Sequence, residues 1–422
     1  MTSGRGSSVV TGPVGLTVAF VAVHAVLSAI NLFDTDLNAM GDVTGVYRYW
    51  IDFWQTNGVL VGVNADWVYP IGALPPMMLA AVLGDAAYPV VWLLLVAVLD
   101  AAALVLLART SRAVAWWWLL TTACLGPIAL GRIDSIALPF ALAGVLHVVR
   151  RPGVAAVLFT VAAWIKVWPA ALVLGMVMAA RRRAIVITAA ATTSAVIVVA
   201  ALAAGARSQI FSFIGEQTGR GLQIEAPVTA LWLWDAALGI GGTSVYYDRA
   251  LLTWQVQGAG VAQAAAVMTA VLAAGVLVVL LLGLLAVRRR ADPPTVIALT
   301  ALALVTAAVA LNKVGSPQYF TWFVAPVVLG MLAAPRRFRT PMVLVPLLDV
   351  LTQLIYPWNY SKVTSLDPLW LVVLDLRDLG EFVLLGWCLL ALLTLPPAPA
   401  TIAAHRTIGR SAGSGPRVQT AR

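Results

Sequence analysis

The sequence contains few charged residues. Asp, Glu, Lys and Arg make up 11% of its 422 residues, whereas 61% of the residues are hydrophobic and the mean hydropathy is +0.92. An average soluble domain carries about 25% charged residues. The scarcity of charge therefore excludes a soluble enzyme and indicates a protein of the lipid bilayer.

Histidine and cysteine are also scarce, with three and two residues respectively. His24 and His147 lie in apolar runs and His405 lies near the end of the chain, so no histidine cluster indicates a zinc site or a proton relay. Cys124 and Cys388 lie within apolar runs and are interpreted as small hydrophobic core residues. The sequence has no Walker-type loop and no Gly-x-Ser-x-Gly motif, which argues against nucleotide hydrolysis and serine hydrolase chemistry. No metal or other cofactor is predicted.

The chain is organised as apolar runs of about twenty residues, the length that a helix needs to cross about 30 Å of hydrocarbon. Arginine clusters end these runs, and if the clusters face the cytoplasm, an even number of crossings must separate neighbouring clusters. This pattern predicts an all-α polytopic membrane protein with twelve spans and both termini in the cytoplasm. The predicted spans are residues 13–33, 88–108, 114–130, 134–149, 153–165, 169–180, 184–204, 259–287, 294–311, 318–334, 341–357 and 378–396.

The acidic residues support this orientation independently, because only Asp292 falls in a cytoplasmic loop, Asp100 and Asp349 fall within spans, and most of the others fall in outward loops. Two of those loops are large, covering residues 34–87 and 205–258. Residues 1–396 are interpreted as a single transmembrane domain, and residues 397–422 as a disordered, basic cytoplasmic tail. The chemistry is therefore expected on the outer, periplasmic face of the plasma membrane.

Two regions depart from simple spans. Pro70–Leu83 is apolar, but counting it as a span would place Arg109 outside, so an interfacial or re-entrant helix is expected there. Segments 153–165 and 169–180 are each too short to cross the bilayer without tilt or thinning. They are predicted to be two half-length helices that meet inside the membrane beside Lys166.

The first large loop carries acids among aromatic residues. Asp42 is followed by Tyr47 and Tyr49, and then by Trp67 and Tyr69. Aromatic side chains are common at membrane–water interfaces, which is one interpretation. The other is that a carboxylate beside aromatic platforms binds a sugar and accepts a proton from its hydroxyl. The residue chemistry alone leaves the identity of the base open. The competing acids are Asp34, Asp36, Asp52 and Asp66.

Three cations lie at junctions between apolar runs. Lys313 lies in the turn Asn312–Phe320, Lys166 lies at the junction of the half-length helices, and Arg132 lies beside Asp134, with which it can pair. The polar neighbours of Lys313 are Ser316, Gln318 and Tyr319. Lysine is a common phosphate ligand. Because desolvating a cation at a membrane is costly, a cation placed there usually has a function. If the three cations converge, they form a pocket for a lipid-linked phosphate; the alternative for Lys313 is snorkelling to the interface.

Other functions remain open from the residues alone. Asp100 and Asp349 lie inside spans and suit a proton or cation path. A transporter or flippase of lipid-linked sugars would place its polar residues near the midplane, often in repeated halves, but no repeat of fixed period is evident. A non-catalytic subunit of envelope assembly is a third hypothesis, and it predicts that Asp42→Asn has no effect.

Four short motifs in order resemble the actinobacterial, polyprenol-phosphate-mannose-dependent mannosyltransferases of glycosyltransferase family 87. They are Asp42-Val-Thr-Gly-Val-Tyr-Arg-Tyr-Trp50, Trp67-Val-Tyr-Pro-Ile-Gly-Ala73, Lys166-Val-Trp-Pro169 and Lys313-Val-Gly-Ser-Pro-Gln-Tyr319. The resemblance implies the type C membrane glycosyltransferase fold, with about twelve transmembrane helices and two large periplasmic loops. It also implies that Asp42 is the catalytic acid and that Lys313, with Lys166, faces the donor phosphate.

The reaction that this resemblance implies is an inverting displacement. Asp42 would deprotonate an acceptor hydroxyl, which attacks polyprenyl-phosphate-mannose and forms an α linkage without a metal, while Lys313, Lys166 and Arg132 stabilise the phosphate. The implied partners are that donor, membrane lipid and a glycolipid or lipoglycan acceptor of the phosphatidylinositol mannoside or lipomannan type, and no nucleic acid. The sequence leaves open the acceptor, mannose or arabinose as the donor sugar, the linkage and the oligomeric state.

Overall fold

A computed structural model describes residues 12–34, 37–216 and 220–399. The N-terminal residues before Gly12, one of the competing acids, Asp36, and the predicted tail from residue 400 onward lie outside the described residues. The described chain is mainly helical and includes one two-stranded β-hairpin.

The helices are numbered in chain order. They are α1 (Pro13–Phe33), α2 (Arg48–Asn57), α3 (Leu74–Ala80), α4 (Tyr88–Thr110), α5 (Arg112–Leu125), α6 (Asp134–Val145), α7 (Pro152–Ile165), α8 (Ala170–Ala179), α9 (Arg183–Ala203), α10 (Ser212–Gly215), α11 (Ala230–Ala237), α12 (Val261–Arg288), α13 (Pro293–Ala310), α14 (Val324–Ala333), α15 (Arg339–Ile355), α16 (Tyr360–Thr364) and α17 (Pro368–Leu393). The two strands are β1 (Ser244–Asp248) and β2 (Thr253–Gln257).

Five helices within the described ranges, α1, α4, α9, α12 and α13, are long and apolar enough to cross a membrane. Several shorter apolar helices, among them α6, α7 and α8, accompany them. This composition is that of an integral membrane protein. The number of crossings, twelve, and their orientation stay predictions.

Helix α13 lies at the centre of the bundle. Of its 18 residues 83% are buried, because α8, α12, α14 and α17 pack around it. Only 11% of the apolar stretch of α9 is buried, and Val196 and Val199 are among its exposed side chains. A helix that exposes so much apolar surface needs lipid as its solvent.

The start of α13 is set locally, since the Asp292 side chain accepts a hydrogen bond from the Thr295 N–H and Pro293 occupies the first helical position.

The two half-length helices form where the sequence predicts them. Helix α7 ends at Ile165 and α8 begins at Ala170, with Lys166 in extended backbone between them. Fourteen residues of α-helix are about 21 Å long, which is shorter than the hydrocarbon core of about 30 Å. Gly72 packs so tightly against the end of α7 that an added Cβ would overlap the backbone of Trp164. This packing places the first large loop against the Lys166 junction.

The second large loop departs from the all-helical prediction. Strands β1 and β2 pair antiparallel, with Tyr247 opposite Trp254 and Val245 opposite Val256. The rings of Tyr247 and Trp254 lie 5.5 Å apart, an aromatic pair of the kind that stabilises neighbouring strands. The β-branched and aromatic residues of these strands alternate over only a few positions. In a mainly apolar sequence, so short a pattern is difficult to distinguish from the longer patterns of the helices.

The last helix begins ten residues before the predicted span. The prediction starts it at residue 378, after a charged stretch, but α17 begins at Pro368 and includes that stretch. Arg377 there is buried and forms ion pairs with Glu225 at 3.4 Å and with Asp378 at 2.7 Å. Charged residues can be buried in a helix when they are paired in this way. Hydropathy treats each charge as unpaired and therefore gives no sign that the helix extends back to Pro368.

Candidate functional site

Asp42 begins a short π-helical segment, Asp42–Tyr47, that continues into α2. Its Oδ2 atom lies 3.2 Å from Nε of Arg132, and about a third of its side chain is exposed, 33%. Short π-helical segments are uncommon and occur frequently at functional sites. One face of the Asp42 carboxylate is therefore held by a cation while part of it stays accessible.

Arg132 is anchored by three hydrogen bonds in addition to this ion pair. Its guanidinium donates to the carbonyl oxygens of Ala39 at 2.5 Å and Gly131 at 2.8 Å, and to the hydroxyl of Tyr356 at 3.1 Å. Burial by itself lowers the pKa of this guanidinium, but Asp42 and Tyr356 raise it, so that the net pKa lies above the ordinary value. Arg132 is thus a fixed positive charge that orients Asp42.

Four aromatic side chains from the first loop pack beside this pair. Tyr47, Trp50, Trp67 and Tyr69 contact one another with ring centroids 5.4 to 6.0 Å apart, mostly edge to face. The Tyr47 hydroxyl accepts a hydrogen bond of 3.3 Å from the N–H of Ile133, next to Arg132. Burial and the nearby carboxylate of Asp42 raise the pKa of Tyr69 above its ordinary value.

Lys166 lies against this aromatic cluster. Its Nζ is 4.3 Å from the centre of the Tyr69 ring and 3.9 Å from Oδ2 of Asp134. The other oxygen of Asp134 accepts a hydrogen bond of 2.6 Å from the indole N–H of Trp322. Asp42 also acts electrostatically on Lys166 and Tyr69. The first loop, the half-helix junction and the segment after Lys313 therefore meet at one place.

A cavity of about 440 Å³, here called the donor cavity, opens beside this meeting point. Lys166 and Lys313 both line it, as do Tyr69, Tyr319 and Trp322. Its remaining wall includes apolar residues of α12 and α13, which are Leu272, Leu304, Val305 and Ala308. A pocket with two cations and an apolar wall fits an anionic group attached to a hydrocarbon chain.

The turn that carries Lys313 is held by the second large loop. The Lys313 carbonyl accepts a hydrogen bond of 3.0 Å from the N–H of Gln223, and Gly315 packs directly on the backbone of Glu225. Arg377 in turn donates to the Glu225 carbonyl at 2.8 Å. Burial lowers the pKa of the Lys313 ammonium. The position of this cation thus depends on α17 as well as on its own turn.

The donor cavity is not lined by four of the predicted residues, which are Ser316, Gln318, Tyr49 and Arg132. Ser316 donates a hydrogen bond of 2.6 Å to the side-chain oxygen of Gln318, so these two residues pair with each other inside the turn. Tyr49 is 58% exposed and stacks on Phe53. The guanidinium of Arg132 instead contacts the side chains of Asp42 and Tyr356 and two backbone carbonyl oxygens.

Sequence reasoning missed Arg220, which lies close enough to Lys166 and Tyr319 to act on both electrostatically. Its Nε is buried and has no hydrogen-bond partner within the described part of the chain. The available signal was a single arginine next to Gly221 in a large outward loop. Tyr356 was missed too, because nothing local in the sequence links it to Arg132.

The fold is that of a helical integral membrane protein. Its site places a carboxylate and two lysines beside a cavity that has both cationic and apolar lining residues. The chain belongs to glycosyltransferase family 87, whose model matches residues 67–317, more than half of the sequence. It is therefore a transferase that acts on a sugar donor and an acceptor. The matched region contains Tyr69, Arg132, Lys166 and Lys313, whereas Asp42 precedes it. No curated protein and no solved structure matches.

Proposed function

We propose that the protein transfers mannose from polyprenyl-phosphate-mannose to a mannosylated glycolipid or lipoglycan on the outer face of the plasma membrane. The observation that carries the proposal is the donor cavity, where Lys166 and Lys313 share one space with an apolar wall. A nucleotide-sugar donor has no hydrocarbon to occupy such a wall. A prenyl phosphate has both parts, the anion for the lysines and the chain for α12 and α13.

The lysines act on the leaving group. When the bond between the anomeric carbon and the phosphate oxygen breaks, the electron pair stays on a lipid phosphomonoester, which gains negative charge. Lys166 and Lys313 stabilise that charge, and fixed cations in a desolvated site contribute most where charge develops. The proposed reaction uses these two lysines for this purpose and no divalent metal.

Asp42 acts as the general base. It accepts the proton of an acceptor hydroxyl whose oxygen attacks the anomeric carbon from the face opposite the phosphate, so a β-linked donor yields an α-linked product. A base must lie within hydrogen-bond reach of the proton that it removes. The exposed part of Asp42 supplies that access, while Arg132 holds the other side of the carboxylate. Arg132 is thus proposed to position Asp42 and not to bind phosphate.

The test compares three purified proteins, the wild type, Asp42→Asn and Asp85→Asn. Asp85 is an exposed acid in the same loop and serves as the matched control. Each protein is incubated with polyprenyl-phosphate-mannose and a short mannosylated lipid, with a chelator present, and the product is measured by mass spectrometry. We expect turnover by the wild type and the control, and a loss of about 10² to 10⁴-fold in Asp42→Asn.

Equal turnover by all three proteins would show that Asp42 is not the base. If the protein turned over polyprenyl-phosphate-arabinose but not the mannose donor, the proposed donor sugar would be wrong, whereas the proposed class of donor, a prenyl-phosphate sugar, would stand. Turnover with a nucleotide sugar and none with a prenyl-linked donor would overturn the proposal.

A further inference from the structure

A second, smaller cavity lies inside the bundle, between α4, α5, α6, α15 and the segment that leads into α14. Its volume is about 20 Å³, and we call it the inner cavity. A space needs about 10–15 Å³ to hold one water molecule, so the inner cavity accommodates a single particle of that size. Its oxygen-bearing lining residues are Asp100, Thr121, Thr122, Ser135, Thr321 and Asp349.

Asp349 is the residue that requires an explanation. It is 1% exposed, and within the described residues neither of its carboxylate oxygens has a hydrogen-bond partner. A buried polar group without a partner is costly, and such groups usually mark an ion, a water molecule or a functional site. Asp100, which also lines the inner cavity, is by contrast partnered, with its Oδ2 lying 3.1 Å from Nε2 of His24.

Three of the hydroxyl groups that line the inner cavity present oxygen lone pairs and not protons. Thr121 and Thr122 both donate to the carbonyl of Trp118, at 2.7 and 3.1 Å, and Ser135 donates to the carbonyl of Arg132 at 2.6 Å. With their protons directed to backbone carbonyls, these oxygens are available as acceptors or ligands. Among the described residues, the inner cavity therefore combines one carboxylate that has no hydrogen-bond partner with several neutral oxygen ligands and the indole N–H of Trp118.

We propose that the inner cavity binds one sodium ion, with Asp349 as its charged ligand and the threonine and serine hydroxyls as neutral ligands. Hard cations prefer oxygen ligands, and a single unpaired carboxylate matches a single positive charge. A divalent ion is disfavoured because no group of three or more His, Cys, Asp or Glu residues suited to a metal exists among the described residues. A carboxylate is a ligand of high charge density, and such a ligand favours the smaller sodium ion over the larger potassium ion.

The inner cavity is linked to the transferase site by residues that are adjacent in sequence. Ser135 follows Asp134, and Thr321 precedes Trp322. Asp134 and Trp322 form the hydrogen bond that lies beside Lys166. A bound ion would tie α6 to the segment Pro317–Phe323 at the point where both contribute to the donor cavity. The binding itself does not depend on which sugar the enzyme transfers.

The test measures binding of radioactive sodium to the purified full-length chain by scintillation proximity. We expect saturable binding of one ion per chain that unlabelled sodium chloride displaces, whereas potassium and choline chloride at equal ionic strength do not. Asp349→Asn should weaken binding at least tenfold, and Thr122→Val should weaken it measurably. Asp292→Asn, which changes an acid at the N-cap of α13, is the matched control and should bind as the wild type does.

Absence of saturable binding to the wild type would overturn the proposal in favour of a bound water molecule. The indole N–H of Trp118, which has no hydrogen-bond partner among the described residues, would help to hold that water. Equal displacement by potassium would overturn the assignment to sodium. If Asp349→Asn does not fold, Thr122→Val decides, and wild-type binding in that variant would refute the proposed ligands.

Discussion

The Nε atom of Arg132 lies 3.2 Å from the Oδ2 atom of Asp42, and this pair joins the first large loop to the turn before α6. Because Arg132 is also bonded to two backbone carbonyls and to Tyr356, the position of the Asp42 carboxylate is set by residues far apart in the chain. A general base works only when its geometry is held, since a misplacement of about 1 Å can cost about 10²-fold in rate.

Substitution of Arg132 should therefore reduce the rate constant kcat and leave the KM for the donor nearly unchanged. Arg132→Lys keeps the charge but cannot reproduce the planar set of hydrogen bonds. We expect kcat to fall about 10²-fold. Tyr356→Phe removes one of those hydrogen bonds, worth about 1 kcal/mol, and should cost about fivefold. Steady-state kinetics with a varied donor concentration checks both, and a rise in donor KM alone would instead place Arg132 at the phosphate.

Lys313 should act on the donor. Lys313→Gln removes one of the two cations of the donor cavity, and loss of one group that stabilises a developing anion costs about 10² to 10³ in rate. Lys362→Gln is the control, because Lys362 is an exposed lysine outside the cavity. The measurement is kcat/KM for the prenyl-phosphate donor together with thermal unfolding of each variant. Equal kinetics for the two variants would exclude a role for Lys313 in donor binding.

The pH dependence of donor binding should follow Lys313. Burial lowers the pKa of its ammonium, and the charged form exists below that pKa. Donor binding is therefore present at lower pH and is lost as the pH rises through the lowered pKa, earlier than an ordinary lysine would allow. The donor KM of the wild type should already rise at pH values below the ordinary lysine pKa of about 10.4, whereas that of Lys313→Arg should stay level because arginine remains protonated. A wild-type KM that does not change over this range would contradict the prediction.

Gly315 should tolerate no side chain. A Cβ atom there would overlap the backbone of Glu225, so Gly315→Ala must displace the Lys313 turn from the second large loop. We expect loss of transfer activity and a lower unfolding temperature. Gly386→Ala is the control, because its Cβ would meet nothing within 4 Å and alanine favours the helix by about 1 kcal/mol. Measuring both variants by thermal melting and product formation separates a packing defect from a general intolerance of alanine.

The sequence predicted the regular parts of the fold well. Helix α1 has the predicted bounds, and the junction at Lys166 lies between two short helices as expected. These features follow from hydropathy and helix breakers, which are local. The sequence did not predict that α17 begins at Pro368. Arg377 is paired with its neighbour Asp378 and also with Glu225, a residue about 150 positions earlier in the chain, and no local pattern shows the second pairing.

Some features of the candidate site could likewise be predicted from the sequence, and others could not. The scarcity of charge by itself determined that this is a membrane protein, and the isolated Lys166, Lys313 and Asp42 stood out because each interrupts apolar or aromatic sequence. Only the tertiary structure decided their partners: it places both lysines in one cavity, pairs Arg132 with Asp42, and leaves Asp349 without a hydrogen-bond partner among the described residues. The physical reason is that hydropathy is a property of consecutive residues, whereas these ion pairs and cavities arise from packing between segments that are distant in sequence.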